Sequence, residues 1–546
     1  MSAEPARKVY FIGGRSSDAH GAAPELVGNK AFNLMRMDAA GLRVPAAFVI
    51  GTDVCREVLH AGGQLPADLD DLLAASIRWL ENATGRTFGG HRAPLLVSVR
   101  SGAPVSMPGM MDTVLNVGLN DATVNGLIRA TGNPRLAWDS YRRLVESYAN
   151  VVHGSPLAPF EELARRHLDA ELFPSARELD TVTLRELARE ALELVYAQPS
   201  AAFPQDPRVQ LRNCVGAVFR SWDSPRARTW RCLHGIDDSL GTAVTVQAMV
   251  FGNSGGNSGS GVGFTRDPAS GENTLYLDFM FNAQGEDVVS GRREVSDGAR
   301  LQTLLPQLYG GLQHVKGKLE SEFRDLQDFE FTVQDGELFL LQTRDASRAP
   351  WAALRVAVEM VDEGLIDVPT ALARLAALDL AAVARVSLEV PAGLQALATA
   401  TPASIGAVSG VIATDSDGAR RLSEAGQPVI LVREDTATED IEGMASACGI
   451  LTSRGGRTSH AAVVARQLDK VCLVGCSALT IDAAAGRCRF GDTVLYEGDW
   501  LSLDGNRGLV FAGRHAVVRE RPEALLQRVQ GWRQKGHVGL SRQPSG

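Results

Sequence analysis

Cysteine is thinly spread through this chain of 546 residues, at Cys55, Cys214, Cys232, Cys448, Cys472, Cys476 and Cys488. Seven scattered thiols exclude a disulfide-stapled scaffold. Cys472 and Cys476 fall on an expected strand and turn, where packing explains them better than metal binding. No apolar run is long enough to span a membrane, and the opening MSAEPARKVYFIGG lacks the apolar core of a signal peptide. Cytoplasm is therefore the simplest expected location, with no membrane partner. Basic residues are not in excess either: a formal charge of -9 leaves no broad cationic footprint for nucleic acid. There is no internal repeat and no low-complexity tract beyond short glycine loops. What remains, 45% hydrophobic and 22% charged residues over this length, describes a soluble globular protein of three or four domains.

The most informative stretch is CGILTSRGGRTSHAAVVARQLDKVCLVG, Cys448 to Gly475. Gly449 to Ser453 predicts a short apolar strand, and Arg454 to Arg457 force a turn. Thr458 and Ser459 are N-cap residue types, and Ala461 to Arg466 is a run of good helix formers. His460 thus falls in the first turn of a helix, beside a glycine-bearing loop. Unpaired N–H groups and the positive end of the helix dipole favour an anion there. A histidine that carries a phosphoryl group needs this setting, with a neutral nitrogen as nucleophile. A lone histidine is more often a surface or capping residue, but GGRTSHAAVVAR resembles the phosphohistidine segment of the phosphoenolpyruvate-utilising enzymes, the pyruvate, phosphate dikinase family most closely. Those enzymes usually have methionine where Arg457 stands, so this chain adds a cation near the expected phosphate. Thr458 lies where plant members carry a regulatory phosphothreonine.

Two N-terminal blocks extend the resemblance. In GNKAFNL, Lys30 sits at the start of an expected helix after Gly28, where its side chain can reach back toward a phosphate. Together with GLRVPAAFVI this is similar to the opening of an ATP-grasp nucleotide-binding domain. Leu95 to Val99 then predicts a strand that delivers Arg100, whose planar charged fork suits phosphate oxygens. The string SMPGMMDTVLN that follows resembles the dikinases rather than the related phosphoenolpyruvate synthases. It implies Arg100 on the ATP phosphates, and Gly109 and Met111 beside the nucleotide. Residues from about 120 to 240 predict a helical insertion. In TAVTVQAMVFGN, VGFTRDP and NTLYLDFMFNAQGEDVVSG the resemblance implies the second half of the ATP-grasp domain, with Gln247 on the adenine side and Arg266 and Glu286 at the phosphate end. Asp278 stands where dikinases usually have glutamate.

LQDFEFTVQDGELFLLQTRDASR, Leu326 to Arg348, predicts a hairpin turning at Asp335 and Gly336. Asp328 and Glu330 share one face of the first strand, and Gln342 and Arg344 repeat that spacing on the second. Carboxylates, an amide and a guanidinium are costly to bury without a ligand. Hard oxygens at Asp328, Glu330 and Gln342 suit Mg2+ bridging ATP phosphates, and Arg344 suits the phosphates themselves. An exposed strand face with alternating charge is the plainer alternative. The pattern DxE followed by LQTR resembles the metal and phosphate end of the family's site.

The fold expected from these readings is a multidomain α/β and α+β chain. It comprises an ATP-grasp domain over 1–348, a helical linker and hinge over 349–403, a swivelling β/β/α phosphohistidine domain over 404–515 and a polar helical tail over 516–546. The family continues into a barrel that binds pyruvate and phosphoenolpyruvate, for which no stretch here offers residues. The resemblance implies attack of His460 on ATP, transfer to inorganic phosphate, and passage of the remaining phosphoryl group to pyruvate at a barrel on another chain. A homodimer is a further arrangement compatible with the family. Two other outcomes fit part of the pattern: phosphotransfer to a different small molecule, and nucleotide sensing without turnover. The second would not need His460.

Overall fold

Short β-branched and aromatic runs, VYFI at Val9–Ile12 (β1) and AFVI at Ala47–Ile50 (β2), open the first sheet. It is completed by β3 (Val97–Gly102), β4 (Thr113–Val117) and β5 (Ala243–Ala248), in the order β1-β2-β5-β3-β4 and antiparallel throughout. The computed structural model describes residues 8–14, 22–105, 107, 110–168, 179–198, 201–289, 296–391, 393–436, 440–455 and 459–540. They divide into two units, Met1–Ser260 with Phe329–Arg344, and Gly261–Asp328 with Asp345–Gly546.

In the first unit, α1 (Pro24–Ala39) follows β1, and α2 (Thr123–Thr131), α3 (Pro134–His153), α4 (Thr181–Tyr196), α5 (Pro207–Ser221) and α6 (Pro225–His234) lie between β4 and β5. Three of these helices start on a cap residue followed by proline, at Asn133–Pro134, Asp206–Pro207 and Ser224–Pro225, each cap side chain accepting a backbone N–H. These helices were expected to be an insertion. Instead Tyr141, Tyr148, Phe219 and Trp222 share one buried core with Val97, Val99, Val114 and Val246 of the sheet. The unit also holds most of a hairpin, β6 (Gln327–Gln334) and β7 (Glu337–Asp345). Asp335 and Gly336 both take positive φ, 53° and 83°, which is the type I′ geometry that an Asp-Gly turn favours.

In the second unit, α8 (Pro350–Asp362) and α9 (Val368–Arg374) follow α7 (Pro306–Phe323) and the hairpin. The segment expected to be a linker and hinge is more built-in than that. Arg385–Glu389 (β8) pairs antiparallel with a strand at the far end of the chain, and Ala398–Thr399 and Thr401–Ser404 (β9) join the large sheet. That sheet runs in the order Ala398–Thr399, β15 (Leu509–Ala512), β14 (Trp500–Asp504), β10 (Ala407–Ala413), β11 (Val429–Arg433), β12 (Gly449–Thr452), β13 (Val471–Val474), β9. Strands β10 to β13 are parallel, and their near-continuous apolar runs are what a sheet covered on both faces requires. Ile412, Ile430, Val432, Leu451 and Leu473 face one core with Cys476, Cys488 and Phe490. Val411, Val429, Leu431, Ile450 and Cys472 face the other, against Ala461, Ala462 and Ala465 of α10 (His460–Gln467). Both cysteines pack, as expected from their spacing. The polar tail is corrected as well. Ala516–Glu520 (β16) is the partner of β8, and α11 (Glu523–Leu540) buries Leu526 and Val529 against Leu354 and Met360 of α8. Two apolar residues per turn suffice to dock a helix that is otherwise charged. Among the described residues no helix is long and apolar enough to cross a membrane.

Candidate nucleotide and phosphohistidine sites

Gly28 interrupts α1 with φ 76° and ψ 153°, so the regular helix starts just after it and Lys30 occupies the first turn. A Cβ on Gly28 would lie 1.9 Å from the Gly102 carbonyl oxygen, and Asn29 N–H donates to the Ala103 carbonyl at 3.1 Å. Glycine thereby lets the start of the helix touch the end of β3, the strand that carries Arg100. Three residues beyond Lys30, Asn33 Nδ2 donates to the Thr343 carbonyl at 2.9 Å, which fastens α1 to β7 next to Arg344. One backbone and one side-chain hydrogen bond thus bring the stretches holding residues 30, 100 and 344 together from distant parts of the sequence.

Lys30 is half-buried in this group. Burial first, and then the charge of Arg100, draw its ammonium down from 10.5 to about 8; Glu330 opposes the shift and Arg344 adds to it. Arg100 Nη2 stands 3.9 Å from Glu330 Oε2, an ion pair beyond hydrogen-bond range, with the two side chains 20% and 32% exposed. Three cations and the Glu330 carboxylate converge here, and burial is the main cause of the low lysine pKa. Of the expected metal ligands, Glu330 lies in this group, Gln342 is 9% exposed, and Asp328 is half-buried at the head of β6, two residues before Glu330. Among the described residues no cluster of three or more His, Cys, Asp or Glu could hold a metal alone. The oxygen donors of Asp328, Glu330 and Gln342 are of the hard type that Mg2+ takes, one or two carboxylates with phosphate oxygens and water completing the shell.

Other expected contacts are placed differently. Met111 is half-buried and packs on the main core, and Gly109 lies outside the described residues. Gln247 stands on β5, two residues from Thr245, the cross-strand neighbour of Arg100, but it is only 2% exposed and its amide donates to the Pro45 carbonyl at 3.4 Å. Its reading as an adenine contact is corrected to a core polar group bridging strand ends. Arg266 is corrected more firmly. It is fully buried, and its five N–H groups all reach carboxylates: Nε and Nη2 the two oxygens of Glu320 at 3.0 and 2.9 Å, Nη1 Glu359 at 3.4 Å and Glu363 at 3.1 Å, and Nη2 Glu363 again. Burial works against this charge, but Glu320 and Glu363 outweigh it and hold the pKa above the ordinary value. No donor is left for a phosphate. Glu286 lies on the short helix Gly285–Val289, its side chain outside the described residues, and Asp278 pairs with Asp297 across two strands.

Two contributors had weaker signals. Asn33 could have been found from its spacing to Lys30, since residues three apart share a helix face. Arg226 could not: its Nε donates to the Met110 carbonyl at 3.2 Å and its Nη2 pairs with Asp112, 114 residues away. It clamps the methionine-rich loop that follows Arg100.

His460 opens α10 at the carboxyl end of the parallel strand β12, where open α/β sheets receive ligands. Ser459 is the N-cap, its Oγ accepting the Ala462 N–H at 3.4 Å. The loop before it is held from both sides: Arg454 N–H donates to Glu434 O at 2.8 Å, and Gly475 N–H donates to Arg454 O at 3.3 Å. A Cβ on Gly475 would lie 2.9 Å from the Gly455 carbonyl oxygen, so glycine is needed where the two loops cross. Thr458 and Arg457 lie outside the described residues, as does the imidazole of His460.

Residues 62–305 match the family model for the pyruvate phosphate dikinase AMP/ATP-binding domain, and residues 425–508 that for the mobile domain of PEP-utilising enzymes. Pyruvate, phosphate dikinase of Clostridium symbiosum is 43% identical over 515 residues, 93% of this chain and 59% of that protein. The chain is pyruvate, phosphate dikinase-like. The Rhizobium meliloti (strain 1021) enzyme is 41% identical over 544 residues, 96% of this chain and 60% of its own length, and the chloroplastic maize enzyme 1 is 42% identical over 513, 94% and 54%. The dikinase-like chain therefore spans a little over half the length of these relatives. The matched domains are the ones that hold Arg100 and His460.

Proposed function

We propose that this chain carries out the ATP and phosphate half-reaction of a dikinase. A neutral nitrogen of His460 attacks the β-phosphorus of ATP, and the bond to the α-phosphate oxygen breaks to release AMP. Inorganic phosphate then attacks the γ-phosphorus of the pyrophosphorylated histidine, leaving as pyrophosphate and leaving phospho-His460. Lys30, Arg100 and Arg344 neutralise the charge of the phosphate chain. Glu330, Gln342 and Asp328 supply oxygen ligands to Mg2+, which when bound screens the β- and γ-phosphates from one another. The α10 N-terminus steadies the charge on the modified imidazole, and the domain bearing it visits a second site to discharge. Pyruvate is the acceptor in this reading, at a site outside the two domains described.

The observation that carries the proposal is the convergence of Lys30, Arg100, Arg344 and Glu330 from distant stretches of the sequence. Incubation with β-labelled ATP, Mg2+ and phosphate should leave acid-labile, base-stable label on the protein, absent in His460→Ala. Unlabelled wild-type protein at every phosphate concentration would sink the enzyme assignment. Pyruvate added to the labelled chain alone should yield no phosphoenolpyruvate; its formation would place the acceptor site within these residues.

A further inference from the structure

Helices α2, α3 and α4 border an open surface cavity of about 550 Å³ that shares no residue with the Lys30 group, lined by Leu192, the half-buried Trp138 and the exposed Asp121, Asn125, Arg185, Arg189 and Glu193. Its size lies within the range of small-ligand sites. Leu192, 8% exposed, forms an apolar base. The half-buried Trp138 adds a flat aromatic wall, steadied by Tyr141 at 6.2 Å between ring centroids. Asp121 is held in place: one carboxylate oxygen accepts the Tyr141 hydroxyl at 2.8 Å, and its backbone N–H donates to Gln205 Oε1 at 3.0 Å. Arg185 and Arg189 are four apart on α4, so both guanidinia rise from one face, and neither has a carboxylate partner among the described residues.

Among the described residues these two arginines contrast with those of the neighbouring helix. On α3, Arg142 and Arg143 are both bound to Asp139, and Arg142 also to Glu146 at 2.7 Å. Like charges at i,i+4 cost an isolated helix roughly 0.2–0.5 kcal/mol, a penalty that an anion bridging the two forks would remove. The cavity therefore offers two guanidinia from α4, a π surface from α3, and a carboxylate and an amide from Asp121 and Asn125, on a different stretch of chain from the arginines. A ligand that satisfies all three carries a phosphate at one end, a flat ring in the middle and an amino donor at the other.

We propose that this cavity is a second, non-catalytic binding site for a nucleoside phosphate with an amino-bearing base. Arg185 and Arg189 take the phosphate, the base lies against Trp138, and its exocyclic amine donates to Asp121. AMP, the nucleotide product of the proposed half-reaction, has this chemistry and is the probe of choice.

Equilibrium dialysis of the full chain with labelled AMP tests the assignment. Wild type should bind two equivalents, Lys30→Met/Arg100→Ala one, Arg185→Glu/Arg189→Glu one, and the fourfold variant none. The exposed arginine pair can be reversed in charge without disturbing the core, and His460 labelling by ATP should persist in that variant. Trp138→Leu should weaken the second site about tenfold, with Trp138→Phe in between. Loss of all AMP binding in Lys30→Met/Arg100→Ala overturns the proposal, as does retention of two equivalents after the Arg185 and Arg189 changes. Full displacement of AMP by inorganic phosphate with no effect of Trp138→Leu would mark a simple anion site and also overturn it.

Discussion

Arg100 and Arg266 both stand near the carboxyl end of a β-strand, in segments that look equally suited to hold phosphate. Around Arg100 the structure places two further cations, Lys30 and Arg344, and a carboxylate 3.9 Å away. Around Arg266 it places three glutamates and uses every N–H. In one region the Arg100–Glu330 pair is 3.9 Å long and the side chains are 20% and 32% exposed; in the other the guanidinium is fully buried and every N–H meets a carboxylate. An arginine binds phosphate only if its donors are not already taken, and the partners that take them at Arg266 lie 54, 93 and 97 residues away.

The strongest way to break this contrast is Arg266→Leu. It strands buried carboxylates and should cost about 3–5 kcal/mol in denaturant unfolding, with ATP affinity of the folded fraction unchanged. A neutral effect on stability with weakened ATP binding would return Arg266 to the phosphates. Gly28→Ala comes next. A methyl group 1.9 Å from the Gly102 oxygen, at φ 76°, should cost roughly 2–4 kcal/mol and displace the end of β3 that carries Arg100. Gly41→Ala, at φ 78° with nothing within 4 Å, is the control and should cost only about 1 kcal/mol.

Lys30→Met reverses the pattern of Arg266→Leu, lowering kcat/KM for ATP about 100-fold without loss of stability. The folded pKa of about 8 lies below the ordinary 10.5, so the unfolded chain binds more protons between those values. Wild-type stability should then rise with pH from about 8 to 10.5, and Lys30→Met should lack that rise. Polyphosphate binding raises the lysine pKa again, so titration calorimetry near pH 8.5 in buffers of different ionisation enthalpy should detect proton uptake, absent in Lys30→Met. The smallest effect belongs to Arg226→Ala. Its exposed pair with Asp112 is worth roughly 0.2–1 kcal/mol, and freeing the Met110 loop should raise KM for ATP a few-fold with kcat held.

Much of this was legible before any coordinates. The short apolar runs VILV, GILT and VCLV, with caps and glycines between them, mark strands and the helix beginning at His460, because run length and capping act within a few residues; the parallel order of those strands is not legible in them. The hairpin at Asp335–Gly336 was equally plain, since its turn type follows from two residues. Less local features were not. The strand Ala516–Glu520 looked like tail because its pairing partner, Arg385–Glu389, lies more than a hundred residues earlier, and Ala398–Ser404 looked loose because small residues give no hydrophobic signal when backbone hydrogen bonds hold them. The helices from 123 to 234 seemed an appendage because an amphipathic pattern shows that a face is buried, not what buries it.

By itself the sequence determined the secondary elements, the glycines at crowded crossings and the chemical repertoire of lysine, arginines, carboxylates and histidine. Which of those charges remain available was a matter of tertiary structure. Coulomb and desolvation energies depend on distance and burial, and neither is encoded in spacing along the chain. Folding gave Arg266 three carboxylates and set Lys30 beside Arg100 and Arg344, and that difference separates a structural ion cluster from the site proposed for the ATP phosphates.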